Sequence, residues 1–301
     1  MNKCISVLIT VLILISFRLS GICRPASDEP VVVNHNHTLI SEIPDSVINL
    51  AQDSLKYHYA HTSHGGQLRD GLSLVEDSQP KYSFAYLSNA LPREEGALCI
   101  FNGQQSDTYI TPGLYWQTAS GMDETRAVLT ANSEINISMW AWCSELNYYT
   151  ESEVQAYLDS LSVLEGEFPD VTFVYMTGNA QGTGAEGYNR YLRNQQIRDF
   201  CLNNNRVLYD FADLDCWWYN PGSGEWEFSS YDYGGTEVPV EHQQFSGDEA
   251  SHTTLESCQQ KGRAMWYISA MLTGWSGQTD SESSSWGTVK SIFRGPGGDS
   301  D

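Results

Sequence analysis

Short apolar runs and apolar residues at helical spacing follow one another along most of this chain. Runs rich in β-branched and aromatic residues predict strands at 56–62, 82–87, 97–101, 137–142, 171–177 and 207–211. Apolar residues three or four positions apart predict helices at 66–76, 122–131, 152–164, 188–202 and 257–272. Strands that alternate with helices in this way are typical of an α/β domain with a mostly parallel sheet covered on both faces.

Three stretches depart from this alternation. Residues 1–23 combine Lys3, an apolar run and small residues, the pattern of a cleaved secretory signal peptide. We therefore expect an exported protein that is secreted, periplasmic or held at the cell surface. The remaining chain is predicted to comprise a polar leader at 24–45, a folded domain at 46–275 and a low-complexity tail at 276–301. Inside the domain, residues 215–247 lack a period and predict an insertion, either a surface loop or a small hairpin.

The charge balance restricts the classes of partner. The chain has 16 basic and 38 acidic residues, a formal net charge of −22, and loss of residues 1–23 removes two basic residues and no acidic one. Such a surface repels nucleic acid and anionic membranes. We expect no nucleic-acid partner, no stable membrane insertion after signal removal and no cofactor, and the oligomeric state stays open.

The cysteines suit an exported protein, in which disulfides are permitted. Five follow residue 23, so at least one thiol is predicted to remain unpaired. We expect either Cys216 with Cys258 or Cys99 with Cys143 to form a disulfide. Their spacing matches no zinc site, and the histidines near position 60 lack an HExxH motif. No metal site is predicted.

Four residues that could take part in catalysis lie at predicted strand ends or before the last helix: Ser63, Gly103, Asn179 and His252. The carboxyl ends of parallel strands share one edge of a sheet, where α/β proteins bind ligands. Acyl transfer needs a nucleophile, a base and donors for the oxyanion. Ser63 and His252 are predicted as nucleophile and base. The amides of Ser63 and Gly103 and the side chain of Asn179 are predicted as the oxyanion hole.

This order of residues resembles the SGNH hydrolases, the GDSL-like esterase superfamily, over roughly residues 56–275. The resemblance implies a three-layer, flavodoxin-like sandwich and ester hydrolysis through Ser63. It also implies an acid three positions before His252, which is Glu249, while neighbouring Asp248 stays open as the residue that orients the imidazole. The chain is similar, too, to a group of secreted bacterial proteins with the segments HTSHG, MTGN and KGRA, a likeness that implies no activity.

Two departures from the superfamily pattern and two open alternatives concern the site. The usual Gly-Asp before the serine is replaced by His61-Thr62, and the usual Gly-x-Asn-Asp run is reduced to Gly178-Asn179. Asn102 or Gln104 could serve in place of Gly103. His242 is an alternative base to His252.

Aromatic and histidine side chains suggest the substrate. Trp116 and Trp142 are predicted to stack on sugar rings, and His61 and His64, which flank Ser63, are predicted to contact substrate. We therefore expect a secreted serine esterase that removes acetyl or other acyl groups from a carbohydrate. The alternative is a non-catalytic carbohydrate-binding or surface-attached protein that retains the fold.

Overall fold

A computed structural model of the protein describes residues 29–277. Its centre is a seven-stranded sheet in which every strand pairing is parallel. The strands are β1 (Val32–Val33), β2 (Lys56–His61), β3 (Phe84–Ser88), β4 (Leu98–Asn102), β5 (Ile137–Ala141), β6 (Thr172–Met176) and β7 (Val207–Tyr209). Their spatial order is β1-β7-β6-β5-β2-β4-β3. The predicted three-layer, flavodoxin-like α/β sandwich is confirmed.

Helices connect the strands and flank the sheet. They are α1 (Asp45–Ser54), α2 (Gly66–Ser78), α3 (Ala119–Ala131), α4 (Glu151–Glu167), α5 (Gly184–Asn203), α6 (Phe211–Cys216) and α7 (Leu255–Leu272). Threonine side chains cap three of them by accepting a backbone N–H in the first turn: Thr118, Thr150 and Thr254. The apolar spacing predicted five of these helices, and α1 and α6 were not among them.

The folded domain begins earlier than residue 46. Val32 and Val33 form β1 and pair with Leu208 and Tyr209 of β7, and Val31 to Val33 are buried. Ile40 and Ile43 are buried as well. The stretch from 31 to 43 therefore belongs to the core rather than to a polar leader. Its apolar residues are too few and too scattered to form a recognisable period, and only pairing with β7 makes them a strand.

The insertion at 215–247 contains two antiparallel hairpins rather than one loop. The first joins β8 (Trp217–Asn220) to β9 (Glu225–Phe228), and the second joins β10 (Ser230–Tyr233) to β11 (Thr236–Pro239). After β11 the backbone returns to the carboxyl edge of the main sheet, where the Glu241 amide donates to the carbonyl of Ala180 at 2.9 Å.

Helices α2 and α7 cross at two glycines. A Cβ on Gly71 would lie 1.9 Å from the carbonyl oxygen of Cys258, and one on Gly262 would lie 2.2 Å from the carbonyl carbon of Gly71. The two backbones touch at these glycines, so a side chain would not fit at either position. This contact brings the start of α2, next to Ser63, close to the loop that precedes α7 and carries His252.

The tryptophans of β5 and its surroundings form a buried aromatic cluster. Trp140 on β5 and Trp142 just after the strand lie two positions apart, so their side chains lie on the same face of the sheet. Trp116 and Tyr157 pack against them, with a centroid distance of 5.6 Å between Trp116 and Trp142. Both of these indoles are only 1% exposed. The prediction that Trp116 and Trp142 stack on sugars is wrong, because both indoles are packed inside this aromatic cluster and out of reach of a sugar ring.

Some sequence predictions fall at the chain ends. The signal peptide at 1–23 and all but the first residues of the 276–301 tail lie outside the described residues. Within residues 29–277, no helix is long and apolar enough to cross a membrane. The five cysteines of this range are all free, so neither expected disulfide is formed.

Candidate functional site

Three loops meet at the carboxyl edge of the sheet, where adjacent strands β2, β5 and β6 end. They span residues 62–65, 142–144 and 177–183. The register pairs His61 with Ala141 and Met139 with Val174, so the strands end close to one another. The loops carry Ser63, Cys143 and Asn179 respectively.

The contact among these loops with the most evident chemical consequence joins Cys143 to His64. The thiol sulfur of Cys143 lies 2.9 Å from Nδ1 of the His64 imidazole. The hydroxyl of Ser63 lies 3.3 Å from the same sulfur. Cys143 is half-buried, whereas His64 is buried. A cysteine beside an imidazole and a hydroxyl is the arrangement that activates a thiol as a nucleophile.

The electrostatics favour an ion pair. Burial opposes ionisation of Cys143, but its hydrogen bonds with His64 and Ser63 and the charge of His64 outweigh burial and lower the thiol pKa to about 6. Burial likewise opposes the charging of His64. Its hydrogen bonds with Cys143 and Gln181, together with the nearby negative charge, nevertheless raise the pKa of the imidazole. At a pH between these two pKa values the pair is therefore a thiolate and an imidazolium.

Gln181 continues this arrangement on the far side of the imidazole. Nε2 of His64 lies 2.9 Å from the side-chain oxygen of Gln181. The side-chain nitrogen of Gln181 donates to the carboxylate of Glu241 at 3.0 Å and to the carbonyl of His252 at 2.6 Å. Cys143, His64 and Gln181 thus have the relative order of a nucleophile, a base and a residue that orients the base.

Asn179 connects the loops after β5 and β6. Its side-chain nitrogen donates to the carbonyl of Cys143 at 2.6 Å, and its side-chain oxygen accepts from the amide of Gln181 at 3.0 Å. The residue is buried. It was predicted as an oxyanion donor, and the contacts that it makes hold the nucleophile loop and the Gln181 loop together.

Backbone amides for an oxyanion lie at the start of α2. In the described part of the chain, the amides of Ser63, His64 and Gly65 donate no hydrogen bond, and they lie just before the first turn of a helix of thirteen residues. Free amides at a helix N-terminus are favourable for a developing negative charge. The predicted use of the Ser63 amide remains compatible with this geometry.

Gly103 lies elsewhere and serves the fold. Its amide donates to the carbonyl of Tyr59 at 3.0 Å, so that N–H is already engaged. Its φ of +88° favours glycine, and a Cβ would lie 2.3 Å from the carbonyl oxygen of Asp107. The prediction of Gly103 as an oxyanion donor is therefore corrected. Its neighbours Asn102 and Gln104 bond to Ser88 and to Leu114 and Thr125, away from Cys143.

His252 lies at the rim of the site. Its imidazole centroid is 5.0 Å from that of His64, and its side chain is 53% exposed. Both Ser251 and His252 have positive φ, +49° and +71°, an uncommon conformation that often marks functional loops. Within residues 29–277, Ser63 and His252 form no hydrogen bond, and the hydroxyl of Ser63 contacts Cys143 instead.

The two acids before His252 differ in position. A carboxylate oxygen of Asp248 lies 3.9 Å from Nδ1 of His252. The carboxylate of Glu249 instead accepts the amide of Leu255 at 2.8 Å and so supports the first turn of α7. Asp248 is thus the carboxylate closer to the imidazole, in contrast to the residue that the superfamily resemblance implied.

The remaining histidines have other partners. Nε2 of His61 lies 2.9 Å from the hydroxyl of Tyr86 on β3, and burial lowers the pKa of this imidazole. His242 is buried and stacks on Trp218, with ring centroids 5.4 Å apart. Neither contacts Ser63 or Cys143, whereas His64, predicted only as a substrate contact, is the histidine at the thiol. In residues 29–277 no group of three or more His, Cys, Asp or Glu residues is arranged to hold a metal ion.

Cys143 is the candidate functional residue that sequence reasoning missed. It directly follows the buried run ISMWAW, which ends at a strand tip like Ser63 and Asn179. That position was the available signal, but the odd cysteine count directed the interpretation towards disulfides. With the geometry established, comparison of the chain with protein-family models and with curated proteins finds no match to either.

Proposed function

We propose that this protein is a hydrolase of carboxylic esters that acts through a covalent thioester on Cys143. The observation that carries the proposal is the 2.9 Å separation of the Cys143 sulfur from Nδ1 of His64. A thiolate held by an imidazolium is a strong nucleophile near neutral pH. Its place at the carboxyl edge of a parallel sheet is also where α/β proteins bind ligands.

The first half of the reaction transfers the acyl group to sulfur. The Cys143 thiolate attacks the ester carbonyl carbon, and a carbon–sulfur bond forms. Negative charge on the carbonyl oxygen is stabilised by the free amides at the start of α2. When the tetrahedral species collapses, the carbon–oxygen bond breaks and the leaving alkoxide takes the Nδ1 proton of the His64 imidazolium. The products are an alcohol and a thioester.

The second half returns the thiolate. Neutral His64 accepts a proton from water as the water oxygen attacks the thioester carbonyl. Collapse of this second tetrahedral species breaks the carbon–sulfur bond and releases a carboxylic acid. The thiolate and imidazolium are then restored. His252, at the rim, is available to exchange protons with solvent during this step.

A second candidate keeps the chemistry but changes the nucleophile. Ser63 lies at the same free amides of α2, and His252 is close to His64, which favours the serine esterase expected from the SGNH resemblance. The contact of the Ser63 hydroxyl with sulfur rather than imidazole favours Cys143 instead. In the cysteine mechanism Ser63 supports the thiolate through its hydrogen bond.

We propose an acylated neutral carbohydrate as the substrate of the exported protein. The net charge of −22 disfavours anionic polymers. Tyr148, five positions after Cys143, is 65% exposed and offers an aromatic face for a sugar ring. Burial raises the pKa of Tyr148, and the negative charges of Glu145 and Cys143 add to this effect.

Hydrolysis of a short-chain aryl ester by purified protein tests the proposal. Cys143→Ala is expected to abolish most turnover, and acyl transfer should leave a mass increase on Cys143 after a rapid quench. Loss of activity in Ser63→Ala with retention in Cys143→Ala would instead support the serine mechanism. An inactive wild-type protein that binds glycans equally well with and without Cys143 would support the non-catalytic binding protein.

A further inference from the structure

The side-chain amide of Gln181 lies between three polar groups of different kinds. Its nitrogen is within 3.0 Å of two acceptors, the Glu241 carboxylate and the His252 carbonyl. Its oxygen is 2.9 Å from Nε2 of His64. A glutamine amide has donors at one end and an acceptor at the other, so the partners at each end decide how it is oriented.

Only one orientation satisfies these partners. Turning the amide over would place its oxygen against the carbonyl of His252, which only accepts, and against the carboxylate of Glu241, which only accepts while it is ionised. It would also leave an Nε2–H of His64 without an acceptor. The acceptor end therefore faces the imidazole, and Nε2 of His64 must carry a hydrogen to bond with it.

We propose that Glu241 and the His252 carbonyl, acting through Gln181, lock His64 in the form protonated on Nε2, so that Nδ1 exchanges the proton with Cys143. This inference deepens the proposed function, since it rests on His64 as the partner of the nucleophile. Gln181 and Glu241 are positioning residues and do not touch the reacting atoms. Their role parallels that of the third residue in other nucleophile–base arrangements.

Glu241, Gln181 and His64 form a hydrogen-bonded relay, and the surrounding contacts hold this relay in place. The backbone amide of Gln181 donates to the side chain of Asn179 at 3.0 Å. The Glu241 amide donates to Ala180 at 2.9 Å, and the hydroxyl of Thr253 donates to the Glu241 carboxylate at 3.3 Å. Glu241 directly follows the hairpins of the insertion. The insertion thus supplies the far end of the relay, a role that its sequence gave no means to predict.

The charged groups around Glu241 do not change which nitrogen of His64 carries the hydrogen. Burial and the negative charge of Asp215 raise the pKa of Glu241 to about 7, against the opposing effects of Gln181, Lys261 and Thr253. Protonation of the carboxylate near neutrality leaves the His252 carbonyl in place. Because that carbonyl does not titrate, the Gln181 nitrogen retains an acceptor throughout.

The tautomer of His64 is directly measurable. Nitrogen chemical shifts from ¹⁵N-histidine-labelled Cys143→Ala protein, at a pH above the pKa of the imidazole, distinguish the two neutral forms. We expect Nε2 of His64 to be protonated. In Cys143→Ala/Gln181→Leu a substantial share of the Nδ1-protonated form should appear. A His64 protonated on Nδ1 with Gln181 present, or a tautomer unaffected by Gln181→Leu, would overturn the inference.

A second readout uses the native thiol. Alkylation of Cys143 by iodoacetamide at a pH near 6 should slow about 5-fold in Gln181→Leu, the effect of losing one ordinary hydrogen bond to the imidazolium. Gln181→Glu keeps an acceptor for Nε2 and should recover most of the rate. Gln155→Leu, at an exposed glutamine of α4, is the matched control and should alkylate like wild type. Equal rates in Gln181→Leu and Gln155→Leu would contradict the relay.

These measurements separate failure of the inference from failure of the proposed function. A protein that hydrolyses no ester but shows the expected tautomer would refute the hydrolase and retain the relay. Active protein whose His64 tautomer is unchanged in Gln181→Leu would refute the relay and retain the hydrolase. If Gln181→Leu does not fold, Gln181→Met keeps the length of the side chain and removes its amide, and the Nδ1-protonated form should again increase.

Discussion

The sulfur of Cys143 lies 2.9 Å from Nδ1 of His64, although 79 positions of sequence separate the two residues. The contact arises because β2 and β5 are neighbours in the sheet and end together. The loop after each strand then supplies one partner, the histidine at the start of α2 and the cysteine after the buried tryptophans. This pair, rather than Ser63 with His252, is the closest contact between potential catalytic groups at the sheet edge.

Selective alkylation should identify Cys143 in native protein. We expect iodoacetamide to modify it first, with a rate that rises through about pH 6 as the thiol ionises. Cys99, Cys201, Cys216 and Cys258 are buried, and burial raises the thiol pKa of the last three. Peptide mass spectrometry measures the modification. After unfolding without reductant, all five should react, and a protected pair would show a disulfide.

Ester hydrolysis should have a bell-shaped pH dependence. Activity should increase as pH rises through about 6, because the thiol of Cys143 loses its proton there. It should fall again as pH passes the pKa of His64, which is raised above its ordinary 6.5, because the imidazolium that protonates the leaving group is lost. Initial rates across the range provide the test. In Cys143→Ser most of the activity should be lost, and any residual rate should rise as pH passes the pKa of His64, because a serine nucleophile needs the neutral imidazole as its base. An unchanged rate and profile would exclude the thiolate mechanism.

The buried ion pair between Lys261 and Asp215 should be sensitive to removal of one partner. Their nitrogen and oxygen are 2.7 Å apart, and neither side chain is more than 1% exposed. Lys261→Met should lower the free energy of unfolding by about 3–5 kcal/mol, because it leaves a buried carboxylate without its countercharge. Chemical denaturation measures the loss.

An exposed ion pair offers the control for that substitution. Lys81 and Asp45 are also 2.7 Å apart but lie largely in solvent, so Lys81→Met should change stability by less than about 1 kcal/mol. The double variant Lys261→Met/Asp215→Asn should be less destabilised than Lys261→Met, since no lone charge stays buried. Equal losses in Lys261→Met and Lys81→Met would contradict the buried pairing.

The glycine contact between α2 and α7 should tolerate no side chain. Gly71→Ala places a methyl group 1.9 Å from the Cys258 carbonyl oxygen, and separating the helices should cost about 1–3 kcal/mol of stability or more. Thermal unfolding measures this cost. Gly166→Ala, in helix α4 with no atom within 4 Å of the new methyl group, is the matched control and should be neutral or stabilising by about 0.5–1 kcal/mol.

Gly71→Ala should also affect the site, because α2 begins shortly after Ser63 and His64. A shift of α2 away from α7 should move His64 relative to the loop of His252 and slow alkylation of Cys143. Gly71→Ala protein that folds with wild-type stability and reactivity would show that the helices approach less closely than described.

The sequence by itself determined the class of fold and most of its elements. Runs such as VTFVYMT at 171–177 and the apolar face of 152–164 are strong local signals, and the observed β6 and α4 match them within a few residues. Ser63, Asn179 and His252 do lie at the carboxyl edge of the sheet, because parallel strands must end on one side. The edge at which to look for a site was therefore predictable.

Tertiary structure alone decided which residues at that edge meet. Local periodicity contains no information about strand order. The pairing of β2 with β5 places Cys143 next to His64 and the hydroxyl of Ser63 next to the sulfur. Packing against Trp140 and Tyr157 buries Trp116 and Trp142, which local pattern could equally place at the surface. Val32 and Val33 become a strand only through β7, and Glu241 reaches Gln181 only because the hairpins return to the sheet. Each of these outcomes depends on contacts between residues distant in sequence, whose energies no local pattern encodes.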